Sequence, residues 1–208
     1  MTDSTAHWEE VYRTKEANRV SWFRSHLDSS IRLIRDAVPN SDAEIIDVGA
    51  GHSRLADDLL AAGYRHLTLV DLSSHALDQT RARLGASADR VCFVGGDVTQ
   101  IDLSGKHFDV WHDRAVFHFL TEDGQRRAYV QQLDRALRYG GHAVLATFGP
   151  NGPMKCSGLN VVRYDASALS QILGASYELR ESFVEAHETP AGSVQEFQYT
   201  LFRKITAV

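Results

Sequence analysis

Three sets of residues in this chain have side chains and spacings suited to binding or to proton chemistry. The first is the stretch Ile45-Ile46-Asp47-Val48-Gly49-Ala50-Gly51-His52-Ser53, an apolar strand that runs into a glycine turn. Gly49 and Gly51 put no Cβ in the way of a sharp turn, so a ligand can lie against the loop and the N-terminus of the next helix. The second set is a pair of acids, Asp71 and Asp97, each just after a short apolar run. The third is His112-Asp113-Arg114 with His118, which brings two proton carriers, a carboxylate and a fixed cation into seven positions.

What is missing narrows the guest of the glycine turn. A dinucleotide turn wants a small residue at the end of Gly-x-Gly-x-x-Gly/Ala, and counting from Gly49 that place is held by Arg54. A P-loop needs a Gly-Lys-Ser/Thr ending, which is also absent. A pyrophosphate is therefore not the obvious ligand. Each polar residue also has a plainer reading. Asp71 and Asp97 fit as turn formers at strand ends. His118, among Val116, Phe117, Phe119 and Leu120, reads equally as a core histidine bonded to backbone. Asp113 and Arg114 also fit a simple ion pair, and Cys156 an ordinary loop thiol.

The elements that hold these residues alternate. Apolar strands are expected at Ile45 to Val48, Leu67 to Val70, Val91 to Val94, Phe108 to Trp111 and Ala143 to Thr147, with amphipathic helices between them. One helix runs from the Leu55 region to a stop at Gly63, the next from Ser73 or Ser74 to Gly85. A third starts at Thr121 and is broken by Gly140-Gly141. Strands alternating with helices predict βαβ crossovers and a mainly parallel, doubly wound α/β sheet. In such a sheet the residues after a central strand, here His112 to His118, face the ligand crevice. Before this core, Trp8, Tyr12, Trp22 and Phe23 mark a helix and turn that either pack on its edge or form a lid. After it, residues 148–162 read as a loop and Asp165 as a helix cap. Segments 177–188 and 194–204 flank Thr189-Pro190-Ala191-Gly192 as an antiparallel hairpin that closes the sheet. The expected organisation is one domain: a cap over 1–40, a core over 41–147, and a loop, helix and hairpin over 148–208.

At 208 residues the chain can bury one good core. Its net charge of -5 without a long basic run argues against nucleic acid as the substrate. Two cysteines make no disulfide framework, the N-terminus lacks a secretory pattern, and no apolar run approaches membrane-spanning length, so a cytoplasmic setting is expected. Ten histidines fall in no metal-ligand spacing, and no metal is expected.

Asp47-Val48-Gly49-Ala50-Gly51, followed by Asp71 and Asp97, resembles the signature of class I methyltransferases that use S-adenosylmethionine, and the likeness extends from about Ile45 to Leu145. Ser53 departs from it, standing where many members have a third glycine. The resemblance implies a Rossmann-like fold and S-adenosylmethionine as cofactor. It places the methionine moiety at Asp47, Gly49, Ala50 and Gly51, the ribose hydroxyls at Asp71 with Leu72 beside it, and the adenine amino group at Asp97 with Val98. Carboxylates that accept from hydroxyls and an amino group make short, charge-assisted bonds and need no basic pocket.

The Asp113-Arg114 pair is similar to that of thiopurine S-methyltransferases. The Trp8-x-x-x-Tyr12 spacing, Ser21-Trp22-Phe23 and Gly51-His52-Ser53 resemble lysine methyltransferases of elongation factors. The acceptor is accordingly expected to be a small molecule, with a thiol or other soft nucleophile favoured. Alternatives are a protein lysine, or a non-catalytic domain that binds the cofactor and regulates a partner. As catalytic residues the expectation names Arg114 to favour a thiolate, His112 or His118 to take a proton, and Asp113 to orient the acceptor or Arg114. Neither the oligomeric state nor the identity of the acceptor is legible.

Overall fold

The computed structural model describes residues 4–206. The first three residues of the expected cap and the last two of the closing segment lie outside them. Helix α1 (Ser4–Thr14) and α2 (Asp28–Ala37) precede the core. Then follow β1 (Glu44–Val48), α3 (Leu55–Ala61), β2 (His66–Asp71), α4 (Ser74–Leu84), β3 (Val91–Gly95), β4 (Phe108–Arg114), α5 (Asp123–Ala136) and β5 (Leu137–Phe148). A two-residue pair, β6 (Lys155–Cys156) and β7 (Leu159–Asn160), interrupts the expected loop before α6 (Ala166–Leu173), β8 (Tyr177–Glu188) and β9 (Val194–Lys204).

Seven strands form one sheet in the order β3-β2-β1-β4-β5-β9-β8. The first five run parallel, and β9 and β8 are antiparallel additions. Strands buried on both faces must be apolar on both, and β1 shows it. Ile45 joins the core that holds Leu33 and Ile34 of α2 and Leu55 and Leu59 of α3, whereas Ile46 and Val48 join the core of Trp111, Tyr129, Leu133 and Phe202. Because β1 is flanked by β2 on one side and β4 on the other, the chain leaves it in both directions and a crevice opens at the strands' carboxyl ends.

One expected boundary is corrected. The helix before β5 ends at Ala136, and Gly140-Gly141 lies within the strand. Leu137 pairs with Phe108 and His142 with Val110, so residues 138–141 bulge opposite Asp109. Gly140 takes φ +78°, and a Cβ on Gly141 would lie 3.1 Å from the Asp109 carbonyl, so these glycines serve the bulge. The closing hairpin falls at 177–188 and 194–204 as expected.

Among the described residues no helix is long and apolar enough to cross a membrane, and no cluster of three or more histidine, cysteine, aspartate or glutamate side chains could hold a metal ion.

Candidate active site

The glycine turn after β1 is held by β2. Gly49 and Ala50 donate to the Val70 carbonyl at 2.7 and 3.0 Å, and Gly51 donates to Asp71 Oδ2 at 2.8 Å. Asp71 Oδ1 accepts from the Ser73 amide, also at 2.8 Å. Gly49 and Gly51 have φ of +70° and +46°, the left-handed region that side chains resist. Space matters as much: a Cβ on Gly49 would lie 2.0 Å from Val116 Cγ2, and one on Gly51 2.2 Å from Tyr12 Oη.

Val116 reaches Gly49 because the chain turns sharply after β4. Ala115 adopts φ +72°, and the Asp113 carboxylate holds the turn by accepting from the Val116 and Phe117 amides. Asp113 also accepts from Tyr129 Oη at 2.6 Å, and Tyr129 in turn accepts from Trp111 Nε1 at 2.8 Å. Burial pushes the Asp113 carboxyl up to about 6, against the lowering effect of these bonds.

Around this frame lies a cleft of about 640 Å3, within the range of roughly 300–1,000 Å3 usual for small-molecule sites. Gly49, Asp71, Leu72, Asp97 and Val98 line one part of it. Asp71 has its burial to thank for a carboxyl raised to about 7, only partly offset by the Ser73 and Gly51 amides. Asp97 accepts from the Thr99 amide and hydroxyl and from Gln100 Nε2. Carboxylate oxygens with lone pairs to spare and no lysine beside them suit hydroxyl and amino donors and repel phosphate.

Trp8, Trp22 and Phe119 wall another part, with Cys156, Leu159 and Asn160 from the β6–β7 pair. The Trp8 ring meets Trp22 and Phe119 edge-on at 5.7 and 5.1 Å. Helix α1 is fixed by Glu9, whose carboxylate accepts from Ser73 Oγ, the Ser74 amide and Ser74 Oγ at the start of α4. Burial by itself would raise the Glu9 carboxyl, but these bonds outweigh it and leave it below its ordinary value.

The structure does not bring the expected catalytic residues together. His112 is buried away from the cleft, with Nδ1 bonded to Asp47 Oδ1 at 2.7 Å and Nε2 to Ser30 Oγ at 2.9 Å, so neither nitrogen is left for a substrate. Asp113 does not line the cleft and serves the turn described above. His118 is fully buried and accepts at Nδ1 from the Phe148 amide, and burial lowers its value to about 3. Arg114 does line the cleft, but Nε donates to Tyr199 Oη, Nη1 to the Trp22 carbonyl, and the guanidinium lies 4.4 Å from the Phe197 ring centre. Of the residues expected at the methionine moiety, Asp47 and Ala50, together with His112, line a small hollow that adjoins the cleft at Tyr12, Trp22, Gly49 and Arg114, and Gly51 sits under Tyr12. Sequence reasoning had no role for Glu9, Phe119, Glu122 or Asn160. The Trp8–Tyr12 spacing of four on one helix face was the legible signal for this wall.

Residues 45–141 match the family model of a methyltransferase domain. Over 98% of this chain and 88% of the other, the fold superposes on a Burkholderia thailandensis 1,6-didemethyltoxoflavin-N1-methyltransferase with bound S-adenosylhomocysteine (TM-score 0.72, 21% identity). Residues 45–141 carry a methyltransferase domain. S-adenosylmethionine is the cofactor of this domain class, and the acids and glycines lining the cleft suit it. A structure from the conversion of a disulfide bond into a thioacetal group in echinomycin biosynthesis has a TM-score of 0.77 to this chain, at 20% identity over 97% of this chain and 93% of that one. In sequence, the Bos taurus eEF1A lysine and N-terminal methyltransferase is 25% identical over 134 residues, 64% of this chain. This chain spans about a fifth of that relative's length, 19%. A Roseobacter denitrificans ubiquinone/menaquinone biosynthesis C-methyltransferase is 26% identical over 182 residues, covering 74% of this chain and 72% of the relative.

Proposed function

We propose that this chain transfers the methyl group of S-adenosylmethionine to a small-molecule acceptor, and that the acceptor is a thiol or a related soft nucleophile. The observation that carries this reading is the composition of the cleft wall. Beyond the acids that suit the cofactor, Trp8, Tyr12, Trp22, Phe119 and Cys156 line it beside Arg114, Glu122, Gln125 and Asn160, and among the described residues it contains neither histidine nor lysine. Asp71, with Leu72, would take the ribose hydroxyls and Asp97, with Val98, the adenine amino group. The turn at Gly49 would meet the methionine moiety. When bound, the cofactor supplies a methyl group on a sulfonium, open to in-line displacement. The protein's part is then to hold the nucleophile close, aligned and dry, which Trp8, Trp22 and Phe119 are placed to do.

A protonated amine needs a base before it can attack. His112 and Asp113 are committed elsewhere, and His118 has one nitrogen spent on backbone. A thiol near its own pKa needs less help. A second reading, methylation of a protein lysine, draws on the eEF1A methyltransferase relatives and on the aromatic wall with Glu122 beside it, which would attract a cation. A cofactor-binding domain that only regulates a partner is the third.

Calorimetry with S-adenosylhomocysteine followed by transfer assays separates the three. The proposal expects binding, then methylation of low-molecular-weight thiols ahead of amines and alcohols. Failure to bind removes the assignment of the cleft; transfer to protein lysine and not to thiols selects the second reading; binding without any transfer selects the third.

A further inference from the structure

We propose that His187, at the far end of β8, is a positioning residue for the cleft: as a neutral ring it clasps the turn Ser21–Arg24 and so sets where Trp22 stands. The inference rests on the reading of the cleft as the cofactor and acceptor site. Trp22 belongs to a segment without regular secondary structure of its own, yet its ring walls both the cleft and the small hollow beside Gly49. A side chain in that setting is only as fixed as the backbone on either side of it.

Both sides are fastened to one imidazole. His187 Nε2 is 2.7 Å from the Ser21 carbonyl, and Arg24 Nε donates to His187 Nδ1 at 3.1 Å. A carbonyl can only accept and a guanidinium N–H can only donate, so these two partners demand a neutral ring with its proton on Nε2. The Arg24 guanidinium is in turn held by Glu185 Oε1 at 3.0 Å, and Glu185 Oε2 accepts from Ser29 Oγ on α2. From the opposite side, Arg114 Nη1 donates to the Trp22 carbonyl. Residues 21, 22 and 24 are thus tied to the sheet in succession, two of them through His187.

The charged groups around the ring are Arg24 from the turn, Glu185 from β8 and Arg114 from β4, and Gln195 pairs with it across the hairpin. Burial lowers the His187 value; the two arginines push the same way, and the Ser21 bond and Glu185 oppose them. A proton added at Nδ1 would face the Arg24 N–H and end that bond. With the folded value below the unfolded one, the clasp is complete above the ordinary histidine range and is lost as pH falls through the lowered value.

Trp8 and Trp22 meet edge-on at 5.7 Å, close enough for their transitions to couple, so the exciton couplet in circular dichroism reports the position of Trp22. The test measures this couplet and S-adenosylhomocysteine affinity for the whole chain between about pH 8 and about pH 5, the span of histidine titration. The proposal expects a couplet in the wild type that fades in acid, with affinity falling alongside. His187→Leu should lack the couplet at all pH values and bind about tenfold more weakly, the scale of one or two hydrogen bonds. His187→Gln, whose amide can donate to Ser21 and accept from Arg24, should keep the couplet and lose its acid sensitivity.

A couplet that persists in His187→Leu overturns the proposal, as does a His187→Gln protein that behaves like the leucine variant or whose couplet retains the wild-type acid response. If wild-type protein shows the couplet but does not bind S-adenosylhomocysteine, the reading of the cleft fails and the clasp stands.

Discussion

The Asp71 carboxylate accepts a hydrogen bond from the Gly51 amide at 2.8 Å, which makes the acid at the end of β2 and the glycine turn after β1 a single unit. With Asp71 proposed to take the ribose hydroxyls, binding and folding would draw on the same carboxylate. Replacing Asp71 by alanine is expected to weaken S-adenosylmethionine by about 1.5–3 kcal/mol, the scale for hydrogen bonds to a charged group, and calorimetry on protein shown to be folded checks it.

The same carboxyl predicts a pH dependence. Burial raises it from an ordinary 3.8 to about 7, and ribose hydroxyls donate best to the ionised form. Cofactor affinity should therefore climb as pH rises through about 7, with Asp71→Asn removing that step and leaving only the fall at lower pH that follows His187. For the ligand-free fold the sign is the reverse. A raised folded value means that Asp71 favours folding most in acid, and this contribution is lost between about 4 and about 7 as the carboxyl ionises.

Gly49→Ala should destabilise the protein and impair cofactor binding, because its Cβ would lie 2.0 Å from Val116 Cγ2. A second substitution, Val116→Ala, leaves the nearest contact at the Cβ of residue 116, 3.5 Å away. The double variant should recover most of the loss and retain about 1–2 kcal/mol from the left-handed backbone. Urea unfolding of the two single variants and the double variant measures the coupling.

Tyr129→Phe removes one hydroxyl that both donates to Asp113 and accepts from the Trp111 indole. It should cost about 3 kcal/mol, since a charged acceptor loses a bond and a buried donor is left without a partner. Chemical denaturation should register that loss, whereas S-adenosylhomocysteine affinity should change far less.

Cys156 lines the cleft but is buried, and burial pushes its thiol up to about 11. Cys92 is exposed. Brief iodoacetamide treatment of the native protein near neutral pH should therefore add one label, on Cys92, and the unfolded protein should take two. Peptide mass spectrometry distinguishes the sites, and fast native labelling of Cys156 would contradict the assignment of a protonated, inert thiol.

The parts of the fold that were legible in sequence are those where a short-range signal had one interpretation. The hairpin bounds followed from Thr189-Pro190-Ala191-Gly192 between two extended runs, and the parallel core from strands and helices in alternation. Gly140-Gly141 misled because glycine suits a bulge as well as a helix stop, and only the pairing of Leu137 with Phe108 decides between them.

The expected catalytic residues are dispersed for a related reason, with only Arg114 lining the cleft. His112 and Asp113 are neighbours in sequence, but successive residues of a strand point to opposite faces. His112 goes to Ser30 on α2 and Asp113 to Tyr129 on α5. Their polarity serves the two sides of the sheet, while the wall of the cleft joins Arg114 and Phe119 to α1, to Trp22 and to the β6–β7 pair, which no local pattern links to β4.

Glu9 gives this arrangement a kinetic side. One carboxylate at the start of α4 secures the helix that supplies Trp8 and Tyr12, so the width of the cleft is governed from a point outside it. Loosening the Glu9 bonds is expected to free α1 and to speed the release of a ligand seated against those rings. The residence time of a bound molecule is then written partly in a helix cap, and can drift in evolution without a change to any residue that touches the ligand.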